Sequence, residues 1–430
     1  MSIAGRSGPD SSGKGLHSVK RDQTFWALAD QAAVSGGNFL TSLILARSLN
    51  RADYGTYSLL FLTLLSINTL HNALVAYPLT LAVARDLDKD DGRQAVGRAI
   101  AHTLVLSTVW LGLLVVVLMF LHRLDVLPAM AMAMIAWHLQ EVARQGFFAN
   151  ADIRGTILPD ILSYLGQAGI LLVLRPSSLR QIFFYIGATS AAALAWQLAL
   201  SRPRFFEPFQ TEFLLSAWKL SKFALVANLV GMGILQLPSW AIEVFHGRPA
   251  VGSYQALANL VGLANPIIFS MVAVLTPAVV RASLIGRDHA RQSALRHGLR
   301  FGVLLLPCFL LVAIAPYHVM LLVYGQRSPY LTLAPLLRVF TITFVLQFIG
   351  SVIGGYEGGL ARPRSYMYSQ FCCLGTLATG GLLLIYLYGI AGAVYAGLIA
   401  AAARMLGFLY ISIRSDRSHK ATAVSLQEVQ

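Results

Sequence analysis

Charge is what this sequence lacks. Of 430 residues, only 12% are Asp, Glu, Lys or Arg, whereas 56% are apolar. A water-soluble domain carries about 25% charged residues. Half of an ordinary aqueous surface is therefore missing, which excludes a soluble globular protein. Cysteine is also scarce: Cys308, Cys372 and Cys373 all lie inside apolar runs. Two of them are adjacent and no metal-ligand spacing exists, so neither a disulfide framework nor a metal site is expected. The chain has no Walker A loop, no zincin motif and no G-x-S-x-G elbow. No cofactor is expected, ATP-driven pumping would need a separate subunit, and the chain is not expected to be an enzyme. No short apolar core starts near Met1, so a cleavable signal peptide is not expected either. The opening MSIAGRSGPDSSGKGLHSVKRDQ is polar and rich in Gly and Ser. It reads as a disordered cytoplasmic tail over residues 1–22.

What the chain does have is apolar runs of about 20 residues, the length that crosses a bilayer as a helix. Twelve are expected, near 24–47, 54–84, 98–121, 126–150, 156–174, 179–200, 212–245, 250–282, 298–320, 331–356, 366–387 and 389–413. Only Tyr388–Gly389 separates the last two. A proline at Pro78 and the pair Asn265–Pro266 should bend the second and eighth spans. The expected fold is an all-α polytopic membrane protein.

The net charge of +14 is explained by topology. With the N-terminus inside, cytoplasmic segments hold 25 of the 33 Lys and Arg residues. The outer loops hold Arg47, Arg51, Arg123, Arg175, Arg180, Arg248 and Arg327, and Arg338 is left within a span. Positive residues resist translocation, so both termini are expected in the cytoplasm. A nucleic-acid partner is not needed to account for the charge.

The basic hexapeptide RQAVGR at Arg93–Arg98 returns as RQSALR at Arg291–Arg296, each time in an expected cytoplasmic loop. Gly55 and Tyr57 recur as Gly252 and Tyr254 at an offset of 197. Pro78 and Arg85 in one half answer to Pro277 and Arg281 in the other. An internal duplication follows, with six-helix bundles at 23–200 and 212–414, a linker at 201–211 and a tail at 415–430. Six spans is an even number, so the halves have the same orientation, a parallel repeat with a central cleft.

Polar stripes on spanning helices face protein or a water-filled cavity rather than lipid. The first span carries Gln31, Ser35, Asn38 and Ser42 on one face, with Asp30 beside it. The seventh carries Gln236, Ser239 and Glu243. The second carries Asn68, His71 and Asn72, and the eighth Gln255 and Asn259. The fourth has His138, Glu141 and Arg144 one turn apart, and the last two can pair along the helix. Arg338 has no acid within a turn. These residues are the expected lining of the cleft. Asp30, Glu243 and His71 are candidates for ion coupling; interhelical hydrogen bonds, solvated helix starts and a packed histidine are the plainer alternatives. Arg47 is expected to anchor the first span at the interface. The Gly-rich GMGILQ and GGYEGG are expected to allow close helix packing.

The stretches LARSLNRADYGTYSLLF and FHGRPAVGSYQAL, one per half, resemble the polysaccharide (O-antigen/exopolysaccharide, Wzx-type) flippases of the multidrug/oligosaccharidyl-lipid/polysaccharide (MOP) exporter superfamily. The resemblance covers about residues 22–415. It implies transbilayer movement of a lipid-linked glycan, carried on undecaprenyl diphosphate, from the cytoplasmic to the periplasmic leaflet of a bacterial inner membrane. It also implies membrane lipids and glycan polymerase or export machinery as partners. Arg338 and Arg144 are then the candidates for the diphosphate, since arginine matches phosphate oxygens geometrically. Ser239 stands where many members have an acid, with Glu243 a turn later, which puts a cation-coupling role there in question. A cation-coupled multidrug or small-metabolite exporter of the same superfamily is the alternative.

Overall fold

The structure is a computed structural model, and it describes residues 12–80, 89–149, 152, 154–203, 211–360 and 363–427. Among these there is helix and no strand. In lipid every backbone N–H and C=O must be satisfied within its own segment, and only helices do that without closing a barrel.

The first half contains α1 (Ser12–Ser48), α2 (Arg51–Thr80), α3 (Lys89–Phe120), α4 (Leu127–Ala149), α5 (Arg154–Leu174) and α6 (Leu179–Ser201). The second contains α7 (Thr211–His246) and a broken α8, whose pieces are α8a (Arg248–Gly262) and α8b (Asn265–Ser283). It continues with α9a (Arg287–Ile314), the short α9b (Pro316–Tyr324) and α10 (Ala334–Gly359). Last come α11 and α12, at 363–388 and 390–427. Among the described residues, ten helices are long and apolar enough to cross a membrane. The last of these is really two, and α1 completes the twelve. The two-bundle, twelve-helix arrangement expected from the sequence is therefore present.

The joins follow from local chemistry. Asn50 caps α2 by accepting from the Asp53 N–H at 2.9 Å and donating to the Asp53 carboxylate at 2.6 Å. Ser178 caps α6 through the Gln181 N–H. One residue, Gly247 at φ 76°, separates α7 from α8a. Gly389 at φ 56° and ψ −124° does the same between α11 and α12. Such a backbone is open essentially to glycine alone. The chain doubles back so tightly there that a side chain at Gly392 would overlap the Leu384 carbonyl. The break in α8 falls at Asn265–Pro266, as expected. In α2 the disturbance is a π-turn over Asn72–Ala76 just before Pro78. Proline takes away one ladder N–H and its ring presses on the preceding turn, and a wider turn relieves both. Arg85 lies outside the described residues.

The helices at the two ends run past the apolar spans. Helix α1 already starts at Ser12, inside the stretch expected to be a tail, and α12 continues to Gln427. Once a helix is nucleated, each further residue adds a hydrogen bond, so the spanning helices extend beyond the apolar run.

The largest apolar core runs through both halves at the end opposite the chain termini, hereafter the far end. It includes Leu45, Tyr54, Tyr57 and Leu60 from one half and Val251, Leu257 and Tyr330 from the other. The repeated motif lies at its centre. A side chain at Gly55 would overlap the Arg248 carbonyl, and one at Gly252 would overlap that of Arg51. The same five-residue interval, Arg51 to Gly55 and Arg248 to Gly252, is thus packed reciprocally against its own copy. That is the contact a two-fold repeat axis between the halves produces. Glycines of GGYEGG serve close packing: Gly355 meets Leu275 and Gly359 meets Val279, drawing α10 onto α8b.

Candidate functional site

Two polar constellations stand out. The first is buried in the N-terminal bundle, toward the end where the termini lie. Arg144 on α4 donates to Asp30 on α1 at 2.6 Å and to Asp160 on α5 at 2.7 Å. It also donates to Glu141, one turn back, at 3.2 Å. Thr156 donates to Asp30 at 3.1 Å, Gln145 to Glu141 at 2.7 Å and Gln140 to Asp160 at 3.3 Å. Ser163 extends the chain by donating to Gln140 at 2.9 Å, and it lies 3.3 Å from Ser190. A water-sized cavity of about 10 Å³ follows, lined by Asn38, Ser163, Gln167 and Ser190 among others. Such a space, with several polar groups around it, is of the kind that holds an ordered water. Fully enclosed charges persist only when paired and hydrogen-bonded. Among the described residues, the printed contacts of this guanidinium are to three carboxyl groups.

The predicted pair of Glu141 and Arg144 is therefore present but is only part of the cluster. Asp160 was not among the predicted residues. The signal was available: it is an acid in the apolar run ILPDILSY. Arg144, a candidate for the diphosphate, turns its Nε, Nη1 and Nη2 to carboxylates of its own bundle. Arg338 is not brought near it. It lies exposed on α10 and donates to the Ala313 carbonyl at 3.0 Å. The physical reason is the break between α9a and α9b, where Pro316 supplies no N–H and leaves carbonyls at the end of α9a without helical partners.

His71 and His138 form a second buried feature of this bundle. Their rings stack with centroids 4.6 Å apart and planes within 4°. Thr103 lies 3.2 Å from Nε2 of His71, whereas neither ring nitrogen of His138 has a partner among the described residues. Both are fully enclosed, so His71 is packed inside the bundle and does not line the cleft.

The second constellation lies between the halves. Asn259 on α8a donates to the Ser42 hydroxyl on α1 and to the Tyr54 hydroxyl on α2. Gln236 on α7 donates to Ser66 and to the Leu62 carbonyl on α2, and Asn228 reaches the Thr69 carbonyl at 3.4 Å. Ser239 is enclosed and accepts from Gln255 at 2.8 Å. Gln31 donates to Ser35 at 3.1 Å, and the side-chain oxygens of Asn68 and Asn72 have no partner among the described residues. Of the predicted stripe residues, Ser42, Gln236 and Asn259 meet across the halves, while Asn38 turns into the N-terminal bundle.

The far end is sealed by charge and by rings. Arg248 on α8a donates to the Leu121 carbonyl beyond α3 at 2.6 Å and faces Glu243 at 3.4 Å. Arg47, expected to be an interfacial anchor, is exposed and donates to the carbonyls of Val323 at 2.6 Å and Leu322 at 3.1 Å on α9b. Behind them Tyr330 packs on Tyr54 and Tyr324. Burial pushes the phenol of Tyr330, in the loop before α10, up to about 12, so it stays a neutral ring at any physiological pH.

By sequence, no family profile and no curated protein matches the chain. By structure, it is similar to the inward-facing conformation of a multidrug resistance MATE family transporter of the MOP superfamily. The TM-score is 0.70 at 15% identity, over 93% of this chain and 96% of that one. It is equally similar to the lipid II flippase MurJ in an inward closed conformation. There the TM-score is 0.70 at 11% identity, over 91% of this chain and 87% of that one. Against an outward-facing MATE family transporter the TM-score falls to 0.61, at 14% identity over 93% and 92% of the chains. The likeness is one of fold: the chain has the helical fold that these two transporters share.

Proposed function

We propose that this protein moves a lipid-linked oligosaccharide, carried on undecaprenyl diphosphate, from the cytoplasmic to the periplasmic leaflet by alternating access of its two bundles. One observation carries the choice of cargo. The faces by which the halves meet present Ser42, Tyr54, Ser66, Asn228, Gln236 and Asn259, which are amides and hydroxyls. Among the described residues no ion pair joins the halves there. Neutral donors and acceptors of this kind pair with sugar hydroxyls and offer no counter-charge to a cationic drug. The lipid tail can remain in the bilayer, which suits a chain built almost wholly within it. The likeness to a lipid II flippase supports the same reading.

The N-terminal cluster is read as the energy-coupling element. Asp30, Glu141 and Asp160 surround Arg144 there, and carboxyl groups gathered in a buried site are costly unless they are compensated. The same cluster favours the second reading, a cation-coupled multidrug or metabolite exporter. A leaflet assay separates the two. On deletion of the gene, the lipid-linked glycan should accumulate on the cytoplasmic face of the inner membrane, and surface polysaccharide should be lost until the wild-type gene is restored. Normal polysaccharide together with altered sensitivity to cationic toxins would establish the exporter instead.

A further inference from the structure

Arg47 and Arg248 are both expected at the outer surface, one from each half, and each reaches across to the other half. Their targets are equivalent. Arg248 takes the carbonyl of Leu121, just past the end of α3. Arg47 takes those of Leu322 and Val323, in the last turn of α9b. These are the outer ends of the third spans of the two halves. The last carbonyls of a helix have no intrahelical donors, and they carry the negative end of the helix dipole. A guanidinium is the side chain best suited to fork onto them. Glu243 holds Arg248 from its own half, while Arg47 is exposed. Neither arginine pairs with a carboxylate of the opposite half among the described residues. All three acceptors are backbone carbonyls at the expected outer surface, where water can replace the arginine when it leaves.

We propose that Arg47 and Arg248 form a two-point latch that holds the outer end of the transporter closed and is released when the bundles rock outward. The proposal rests on the alternating-access reading above. It adds what sets the balance between the closed and open outer states. Arg123 is a natural control. It also lies at the outer end, but its partner at 3.0 Å is Asp125 of its own half, so its loss should not loosen the halves.

The test uses the full chain in lipid nanodiscs. Spin labels at Ser177→Cys and Gln326→Cys, one on each half, are introduced after the three native cysteines are replaced by alanine. Electron-spin distance measurements should give a single short separation for the parent. Arg47→Ala and Arg248→Ala should each add a longer separation, and the double variant more of it. Loss of each arginine should raise the ratio of open to closed populations by about tenfold, in keeping with hydrogen bonds to a charged group. Arg47→Lys, whose ammonium reaches one carbonyl rather than two, should fall between. As a check that does not depend on label mobility, Ser42→Cys should become reactive to a membrane-impermeant maleimide from outside only in the latch variants. Unchanged distances in the double variant, or equal opening in Arg123→Ala, would overturn the latch. Opening as expected, combined with normal glycan translocation in the gene deletion, would keep the latch and remove the flippase reading.

Discussion

At the residue scale, the decisive side chain is Arg144. Its three carboxylate partners come from α1, α4 and α5, so it ties three helices at one point. Removing one partner of a buried ionic group leaves the others uncompensated, at a cost of about 3–5 kcal/mol. Arg144→Gln should therefore lower the thermal unfolding midpoint in detergent clearly. Pairing it with Asp30→Asn should recover part of the loss, because a neutral amide no longer needs the cation. A loss in the double variant equal to the sum of the two single losses would show that the residues are not coupled. The stacked histidines carry the opposite expectation. His138 makes no hydrogen bond among the described residues, so His138→Phe preserves the stack and removes two unpaired buried nitrogens. Replacing a buried polar group by an apolar one of the same shape is nearly neutral or stabilising. The variant should melt within a few degrees of the parent, and a large drop would mean that those nitrogens have partners after all. Glu141 with Arg144 was legible from helical spacing alone. The contributions of Asp30 and Asp160 were not, since they arrive from 114 residues before Arg144 and 16 after it.

At the element scale, the crossing of α2 and α8a is the sharpest feature. Gly55 and Gly252 are each in contact with backbone of the other half, and backbone cannot move aside as a side chain can. Gly252→Ala should disturb the closed outer end by about 1–3 kcal/mol, the usual cost of overpacking. The readout is the same spin-label separation, which should lengthen. Gly231→Ala is the comparison, since nothing lies within 4 Å of a side chain placed there, and it should leave the separation unchanged. The sequence marked Gly55 and Gly252 as a repeat without indicating that they touch. Repetition reports ancestry and local geometry, whereas contact between copies depends on where the axis falls. The turn at Gly389 was legible because two apolar runs, each long enough to span, meet there at a residue whose backbone can reverse direction.

At the scale of the whole molecule, the twelve helices and the side-to-side charge bias make a prediction about orientation. A fluorescent protein fused at either terminus should fluoresce in living cells, as a cytoplasmic reporter does. Alkaline phosphatase inserted after Gln326 should be active, as it is only outside. Fluorescence at one terminus alone would break the even count of spans and with it the parallel repeat. The bundles themselves meet through small and neutral groups in the middle and through arginines at the outer end. Within the N-terminal bundle, the cluster around Arg144 joins α1, α4 and α5.

The sequence by itself determined the environment, the span count, the internal repeat and the helix breaks at Asn265–Pro266 and Gly389. These depend on composition, on run length and on backbone preferences, all of which act over a few residues or sum over many. Which polar groups belong together came from the packing of the helices. It placed Arg338 on the Ala313 carbonyl, Arg144 in an acidic cluster of the N-terminal bundle and Arg47 on the carbonyls of α9b. The reason is physical. The partners of a long cationic side chain are set by acceptors within a few ångströms in space, and the nearest acceptors to Arg47, Leu322 and Val323, lie 275 and 276 residues away along the chain.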